Sequence, residues 1–450
     1  MPILCLTLFA LAYALFVVFP ARRSVAAVGA AAALVLAGAL APADLPWRAA
    51  VAESFRRAFV GGGGAEPLVN WNVLGLFFGM LVLAELFLMS KAPAVIAEAM
   101  LARLSSARAA MLALCALSGA ISIAVENVAV VLLLAPIALS LADRLKTSPA
   151  PLLVGIAICS NVQGTATMIG DPPSMILAGE MKMGFFDFFF FHGRPGIFFA
   201  IQVGAIASLG VLAWVFRGQR GRFSLDIRET ARSWVPAGLL CVLIAGLAFS
   251  SAIDPDFRWF AGTITMTMGF AGFLWNALRA KWIAPGALFR SLDWDTTAFL
   301  AGVFVLVGGL SGSGWLERLA SCLANGVGGS AALAFVAIIA LAVAVSGFVD
   351  NVPFLLAMIP VVKSIAAQMA AAGGASATTT TVLLLFGLLT GACLGGNVTP
   401  IGASANVTAI GILRRRGIAV RFRDFMSISV PFTIVAVLAS SIFVWIVWHT

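Results

Sequence analysis

Residues 160–175, SNVQGTATMIGDPPSM, lie inside an otherwise apolar run, and the reading of this stretch decides the fold. Gly164, Gly170, Pro172 and Pro173 interrupt helical hydrogen bonding, because glycine is permissive in conformation and proline lacks an N–H. Ser160, Asn161, Gln163, Thr165, Thr167 and Asp171 supply oxygens and amides at the same place. Backbone groups freed from a helix cannot face lipid, so the stretch predicts an unwound segment that faces a cavity. A second stretch has the same character: GGNVTPIGASAN at 395–406, with Gly395, Gly396, Pro400 and Gly402 as breakers and Asn397, Thr399, Ser404 and Asn406 as polar groups. Two discontinuous helices at matching places point to a transport site between them.

The rest of the chain fits a membrane setting. Hydrophobic residues make up 62% of the 450 positions and charged residues 10%, against about 25% charged in a soluble domain. Ten spans are expected at about residues 2–19, 24–42, 71–89, 151–179, 194–216, 233–250, 259–278, 296–312, 381–413 and 427–448, each long enough to cross a lipid bilayer as a helix. The first is read as a retained span, because Arg22 and Arg23 follow its apolar run. Two apolar stretches remain, 109–142 and 331–362, with Glu126-Asn127 and Asp350-Asn351 near their middles. A charge at mid-depth costs about 2.5–3.5 kcal/mol, so each dipeptide is expected to tip a re-entrant hairpin. Two full spans in place of each hairpin would put the loops on the same sides. The expected fold is an all-α polytopic membrane protein of about ten transmembrane helices plus two hairpins.

The net charge of +9 marks orientation and does not call for nucleic acid, because the Lys and Arg residues concentrate in short loops between apolar runs. With Arg22 and Arg23 cytoplasmic, most of the 28 basic residues fall inside, and 217–232 and 414–423 are the richest segments. Both termini are then outside, in a protein integral to the cytoplasmic (inner) membrane. Six scattered cysteines form no C-x-x-C pair, and His192 and His449 are too remote to hold a metal together. No Gly-Lys dipeptide occurs, so no P-loop is present. No nucleophile and base can be assembled, and enzymatic activity is not expected.

The landmarks recur in the same order in both halves, as in a duplicated unit. VNWNVLGLFFG matches LDWDTTAFLAG, the acidic-Asn tips follow, then GTATMIGDPPSM (164–175) and GNVTPIGASANV (396–407), then FFDF before Pro195 and FRDF before Pro431. The expected organisation is a first repeat at 1–216, a cytoplasmic linker at 217–232 and a second repeat at 233–450. Five spans per half is odd, so the second copy runs opposite to the first. Inverted repeats suit alternating access, and they also occur in channels.

The sign of the ligand is argued from what is missing. Residues 109–142, 151–179, 331–362 and 381–413 contain Glu126, Asp171 and Asp350 but no Lys or Arg. Each carboxylate is therefore expected to be protonated, hydrated or neutralised by a bound cation. Oxygens at the broken helices suit a small hard cation, and helix N-termini there could hold part of an anion. The alternatives for these residues are structural. Glu126 and Asp350 could cap hairpin legs, Asp171 could form a turn, and Thr165, Thr167, Thr399 and Ser404 could bond their own helices. Glu85 stands without an acidic match in the second half, and Cys159 and Cys393 lie beside the proposed site, where packing is the simpler role.

The strings VENVAVVLLLAPI (125–137), SNVQGTATMIGDPPSM, SGFVDNVPFLLAMIP (346–360) and GACLGGNVTPIGASANV (391–407) resemble the ion-transporter superfamily, in the group that holds arsenite permeases, NhaD-type sodium–proton antiporters, citrate carriers and the P protein. The resemblance implies scaffold and transport domains and a homodimer. It implies one ion half-site at Glu126, Asn127, Gly164, Thr165 and Thr167 and another at Asp350, Asn351, Asn397 and Thr399. Asn127, Thr165, Asn351 and Asn397 are then candidates to hold Na+, and Ser160, Asn161, Asp171, Ser404 and Asn406 complete the candidate site. Relatives carry Asp where this chain has Glu126 and Asn where it has Ser174. No cofactor is expected beyond Na+ or H+ as coupling ion. The expected activity is secondary transport of an inorganic ion or small solute, with arsenite or oxyanion efflux first and sodium–proton antiport or citrate-like carriage as alternatives. Polyanions fit less well, for want of Lys or Arg in the site elements. A different class is a channel-like membrane subunit served by a separate ATPase partner.

Overall fold

The structure is a computed structural model that describes residues 2–19, 22–39, 56–61, 67–219, 221, 229–327, 329–371 and 376–449. The expected linker at 217–232 falls partly outside these residues. In the first half the main helices are α1 (Pro2–Val18), α2 (Arg23–Ala39), α3 (Trp71–Met89), α4 (Ala92–Ala102), α5 (Ala107–Ser122), α6 (Asn127–Leu145), α7 (Ala150–Gly164), α8 (Pro172–Met181) and α9 (Ile197–Val215). The second half repeats the series as α10 (Val235–Ala248), α11 (Phe260–Trp275), α12 (Trp294–Gly312), α13 (Trp315–Val327), α14 (Ala331–Ser346), α15 (Asn351–Ala371), α16 (Ala377–Gly395), α17 (Ser404–Arg415) and α18 (Phe422–Trp448).

The halves match in local chemistry as well as in order. Asn70 caps α3 by accepting the Val73 N–H at 3.0 Å, and Asp293 caps α12 by accepting the Thr296 N–H at 2.9 Å. Pro136 in α6 and Pro360 in α15 occupy the same register behind their acidic tips. Close helix approach recurs too. A methyl group at Gly79 of α3 would meet the Thr265 backbone of α11 at 2.5 Å, and one at Gly302 of α12 would meet the Ala27 backbone of α2 at 2.8 Å.

These contacts sort the helices into two bodies. In one, α2 packs on α12 and α3 on α11, flanked by α1 and α10. In the other, α5 and α6 pack on α7, α14 and α15 pack on α16, and α9 lies along α18. The short helices α8 and α17 cross between halves, α8 against α15 and α16, α17 against α6 and α7. Buried Leu, Ile, Val and Phe side chains fill this second body, with α16 almost wholly enclosed.

Two expected spans are broken, as their glycines and prolines predict. Residues 151–179 and 381–413 are each two helices with an irregular segment between, because glycine and proline deny the backbone its helical partners. By length and composition, seven described helices could cross a membrane, among them α6 and α15, the second legs of the two expected hairpins. Helices α4 and α13 have no counterpart among the expected spans, since 11 and 13 residues are too short to register as membrane segments.

Candidate functional site

Four helices begin at one cavity. The first residues of α6 (Asn127, Val128), α8 (Pro172, Pro173), α15 (Asn351, Val352) and α17 (Ser404, Ala405) all line a space of about 240 Å³. Each start exists because the chain breaks just before it, at the two acidic-Asn turns and the two glycine-rich interruptions. A helix start presents N–H groups without intrahelical partners and about half a positive charge. Three of the four are preceded by an acid, Glu126, Asp171 or Asp350, whereas α17 follows Ala403. Asp171 accepts the Ser174 N–H at 3.2 Å and Asp350 the Val352 N–H at 3.0 Å. Ala403 is extended, with φ −142° and ψ 146°, and its methyl group caps nothing.

Behind this surface, side-chain amides join the halves. Asn161 of α7 accepts from Asn127 at 3.1 Å and donates to Asn397 at 2.8 Å and Asn406 at 3.1 Å. Asn406 in turn donates to the Gly396 and Thr399 carbonyls, both at 3.0 Å. Thr167 donates to the Ile123 carbonyl at 2.5 Å, and its counterpart Thr399 donates to the Gly347 carbonyl, so each broken segment is pinned to the opposing turn three residues before its acid. Asn127 fits against Gly164 with no room for a side chain at that glycine. Hydrogen bonds of this kind satisfy polar groups that would be costly to bury unpaired.

The candidate residues therefore divide. Glu126, Asn127, Asn161, Asp171, Asp350, Asn351 and Ser404 line the cavity. Gly164, Thr165, Thr167, Asn397, Thr399 and Asn406 lie in the buried layer behind it, and Ser160 bonds the Ala157 carbonyl of its own helix at 2.8 Å. Of the four Na+ candidates, Asn127 and Asn351 reach the cavity, while Thr165 and Asn397 are held by Asn161.

One correction concerns charge. Glu126 and Asp171 make no ion pair among the described residues, but Asp350 does. Arg23, the first residue of α2, places its Nη1 on the Asp350 carboxylate, its Nη2 2.9 Å from the Thr296 hydroxyl and its Nε 3.5 Å from Asp295. The expectation that Asp350 lacks a basic partner fails because the partner comes from a helix outside the site elements. Arg23, Asp293, Thr296, Glu85 and Cys393 also line the cavity. A loop arginine beside a span start was the one sequence signal for Arg23, and it reads equally well as orientation.

The opening of the cavity is one-sided. Gly179 of α8 packs so closely on α3 that a methyl group there would meet Asn70 and Val73 at 2.8 Å. Its counterpart in α17, Gly411, faces open space, with nothing within 4 Å of an added methyl. The cavity occupies this uncovered side, between Ser404 and Ala405 of α17 and Ser291, Leu292 and Asp293 at the start of α12.

An all-helical membrane protein whose broken helices meet at a one-sided cavity belongs to the class of transporters, not of enzymes. More particularly, the chain belongs to the citrate transporter (CitMHS) family, whose model matches residues 13–382. It is 30% identical to the uncharacterized transporter Rv2685 of Mycobacterium tuberculosis over 99% of both chains. It is 25% identical to the human P protein, covering 82% of this chain and 52% of that one. The YdaH transporter of Alcanivorax borkumensis, described as having an unusual topology, shares the fold with a TM-score of 0.53 at 15% identity, over 83% of this chain and 84% of that one. The sequence resemblance to the ion-transporter superfamily agrees with these relatives.

Proposed function

We propose that this protein is a secondary active transporter that carries a small polycarboxylate together with a cation or protons, by alternating access through the cavity described above. The observation that carries the reading is the difference between Asp171 and Ala403. Asp171 caps α8 from within the chain, and the matching start of α17 faces the cavity without an acid. A cargo carboxylate supplies the missing group, accepting N–H groups that protein side chains leave open. Cations balance it, because Glu85, Glu126, Asp171, Asp293 and Asp350 outnumber Arg23 around the cavity. The family match to citrate transporters supports this cargo class.

The basic loops at 217–232 and 414–423 favour a cytoplasmic placement for the open side, with the tips of α5–α6 and α14–α15 entering from opposite faces. Alternating access then consists of closing α17 onto α12 as α8 now closes on α3. A second reading, transport of neutral arsenite, is favoured by the Cys393 thiol in the cavity wall. Both are tested in proteoliposomes with citrate, citrate plus Mg2+, arsenite and Na+ side by side under imposed pH gradients. Ala403→Asp gives α17 an internal cap and is expected to abolish citrate flux in a folded protein, with Ala403→Gly, which adds no capping group, close to wild type. Unchanged citrate flux in Ala403→Asp rejects the carboxylate reading. Glu126→Gln is expected to cut gradient-driven flux of any cargo severely, and normal flux in that variant removes its coupling role.

A further inference from the structure

Arg23 belongs to the body formed by α2 and α12, whereas Asp350 is at the tip between α14 and α15 in the other body. Their ion pair is therefore a fastening between the two parts that alternating access must move apart. Arg23 is held from several sides. Thr296 accepts its Nη2, Asp295 faces its Nε, and the Phe299 ring lies 4.9 Å beneath its guanidinium carbon. Thr296 is itself fixed, its hydroxyl donating to Asp293 at 2.6 Å. Asp350 is free to trade partners. One of its oxygens takes the Val352 N–H, the other takes Arg23, and both residues border the cavity.

The acidic tip of the other half has no such fastening among the described residues, and the ion pair that does bridge the bodies there is an exposed one beyond the end of α8, Lys182 with Asp256 at 3.5 Å. Where Asp293 and Asp295 stand at the start of α12, the start of α3 has Asn70 and Asn72. Asn72 binds the Gly262 N–H at 2.6 Å and the Phe257 carbonyl at 2.9 Å, a neutral joint between α3 and α11. Glu126, the counterpart of Asp350, borders the same cavity without an ion-pair partner among the described residues.

We propose that Arg23 is the resident counter-ion of a cation half-site at Asp350, and that a cation entering with the cargo displaces it, so that loading releases the 347–350 tip from α2 and α12. The guanidinium stands in for the cargo's cation in the empty protein. A tip that left Arg23 without a replacement charge would carry a bare carboxylate, which opposes movement of the unloaded carrier. Arg23 thus acts as a positioning residue that links movement to loading. The inference rests on the cargo reading above for a cation that travels with the cargo and for the choice of Mg2+ as probe, whereas the fastening itself rests on the Arg23–Asp350 pair.

The test measures Mg2+ binding calorimetrically in the presence of citrate, and hydrogen–deuterium exchange of peptides over 346–353, on the purified full chain. Arg23→Gln is expected to tighten Mg2+ binding about tenfold, equivalent to about 1.4 kcal/mol, and to raise exchange at the tip. Arg23→Lys keeps both near wild type, and Arg23→Gln with Asp350→Asn loses the gain in affinity. A purely structural role would weaken binding, so Mg2+ affinity unchanged or lower in Arg23→Gln overturns the proposal. Should Arg23→Gln fail to fold, Arg23→Met, which keeps the packing over Phe299, carries the same expectation. If wild type binds no Mg2+ with citrate, the cargo reading fails, and exchange at the tip alone decides: a rise in Arg23→Gln but not in Arg23→Lys upholds the fastening, and no rise overturns it.

Discussion

The joint between α8 and α3 is closed and neutral, while the matching joint between α17 and α12 is open and charged. A methyl group at Gly179 would meet Asn70 and Val73, and one at Gly411 would meet nothing within 4 Å, although both glycines occupy the same position of equivalent helices. Asparagines mark the closed end, and Asp293, Asp295 and Arg23 mark the open one. Two copies of one unit in different states is what a carrier requires, because one joint can close as the other opens. On the proposed alternating access, the repeat supplies the alternation, and the substitutions between copies supply whatever the cargo must satisfy.

The largest expected effect comes from erasing a difference inside the shared layer. Asn161 has Cys393 as its counterpart, and Asn161→Cys would make the first half read like the second there. It takes one amide partner from each of Asn127, Asn397 and Asn406, and should cost about 2–3 kcal/mol, read as a lower melting temperature in detergent. An unchanged melting temperature would mean that the amide chain does not fasten the halves. Next, Gly179→Val should destabilise the protein by about 1–3 kcal/mol through overpacking against α3, and Gly411→Val should leave stability as it is. On the proposed alternating access both should slow transport, since each joint would close once per cycle. Equal stabilities for the two variants would remove the asymmetry.

The smallest effect is expected in the loop before α11. Burial pushes the Asp254 carboxyl up, but the N–H groups of Phe260, Trp259 and Arg258, at 2.9, 2.8 and 3.0 Å, together with the Arg258 charge outweigh it and hold it below its usual value. A depressed carboxyl stabilises the folded state above the ordinary aspartate range, near pH 4, and that contribution is lost as pH falls through the depressed value. Asp254→Asn should therefore cost about 0.5–1 kcal/mol at pH 7, with the gap from wild type closing in acid. A gap that persists below pH 3 would place the effect elsewhere.

Much of this was legible in the chain itself. The span at 71–89 coincides with α3, and the breaks at 164–171 and 395–403 follow from glycine and proline wherever these residues sit. The acidic-Asn turns were legible for the same reason, since a charge within an apolar run demands a special place. The helices α4 and α13 were not, because 11 and 13 residues are too short to register as membrane spans. Among candidate site residues, Asp171 and Asn127 could not be told from Thr165 and Asn397 by type, yet the first two border the cavity and the last two lie behind it.

By itself the sequence determined that the chain lives in a membrane, that it is a doubled unit, and where its helices break, since all three follow from local hydrophobicity and backbone chemistry. Only the tertiary structure decided which carboxylate is neutralised, which helix start is left without an acid, and which joint stands open. Those depend on groups from α2, α12 and α17 meeting across long separations in sequence, and electrostatic pairing is set by distance in space.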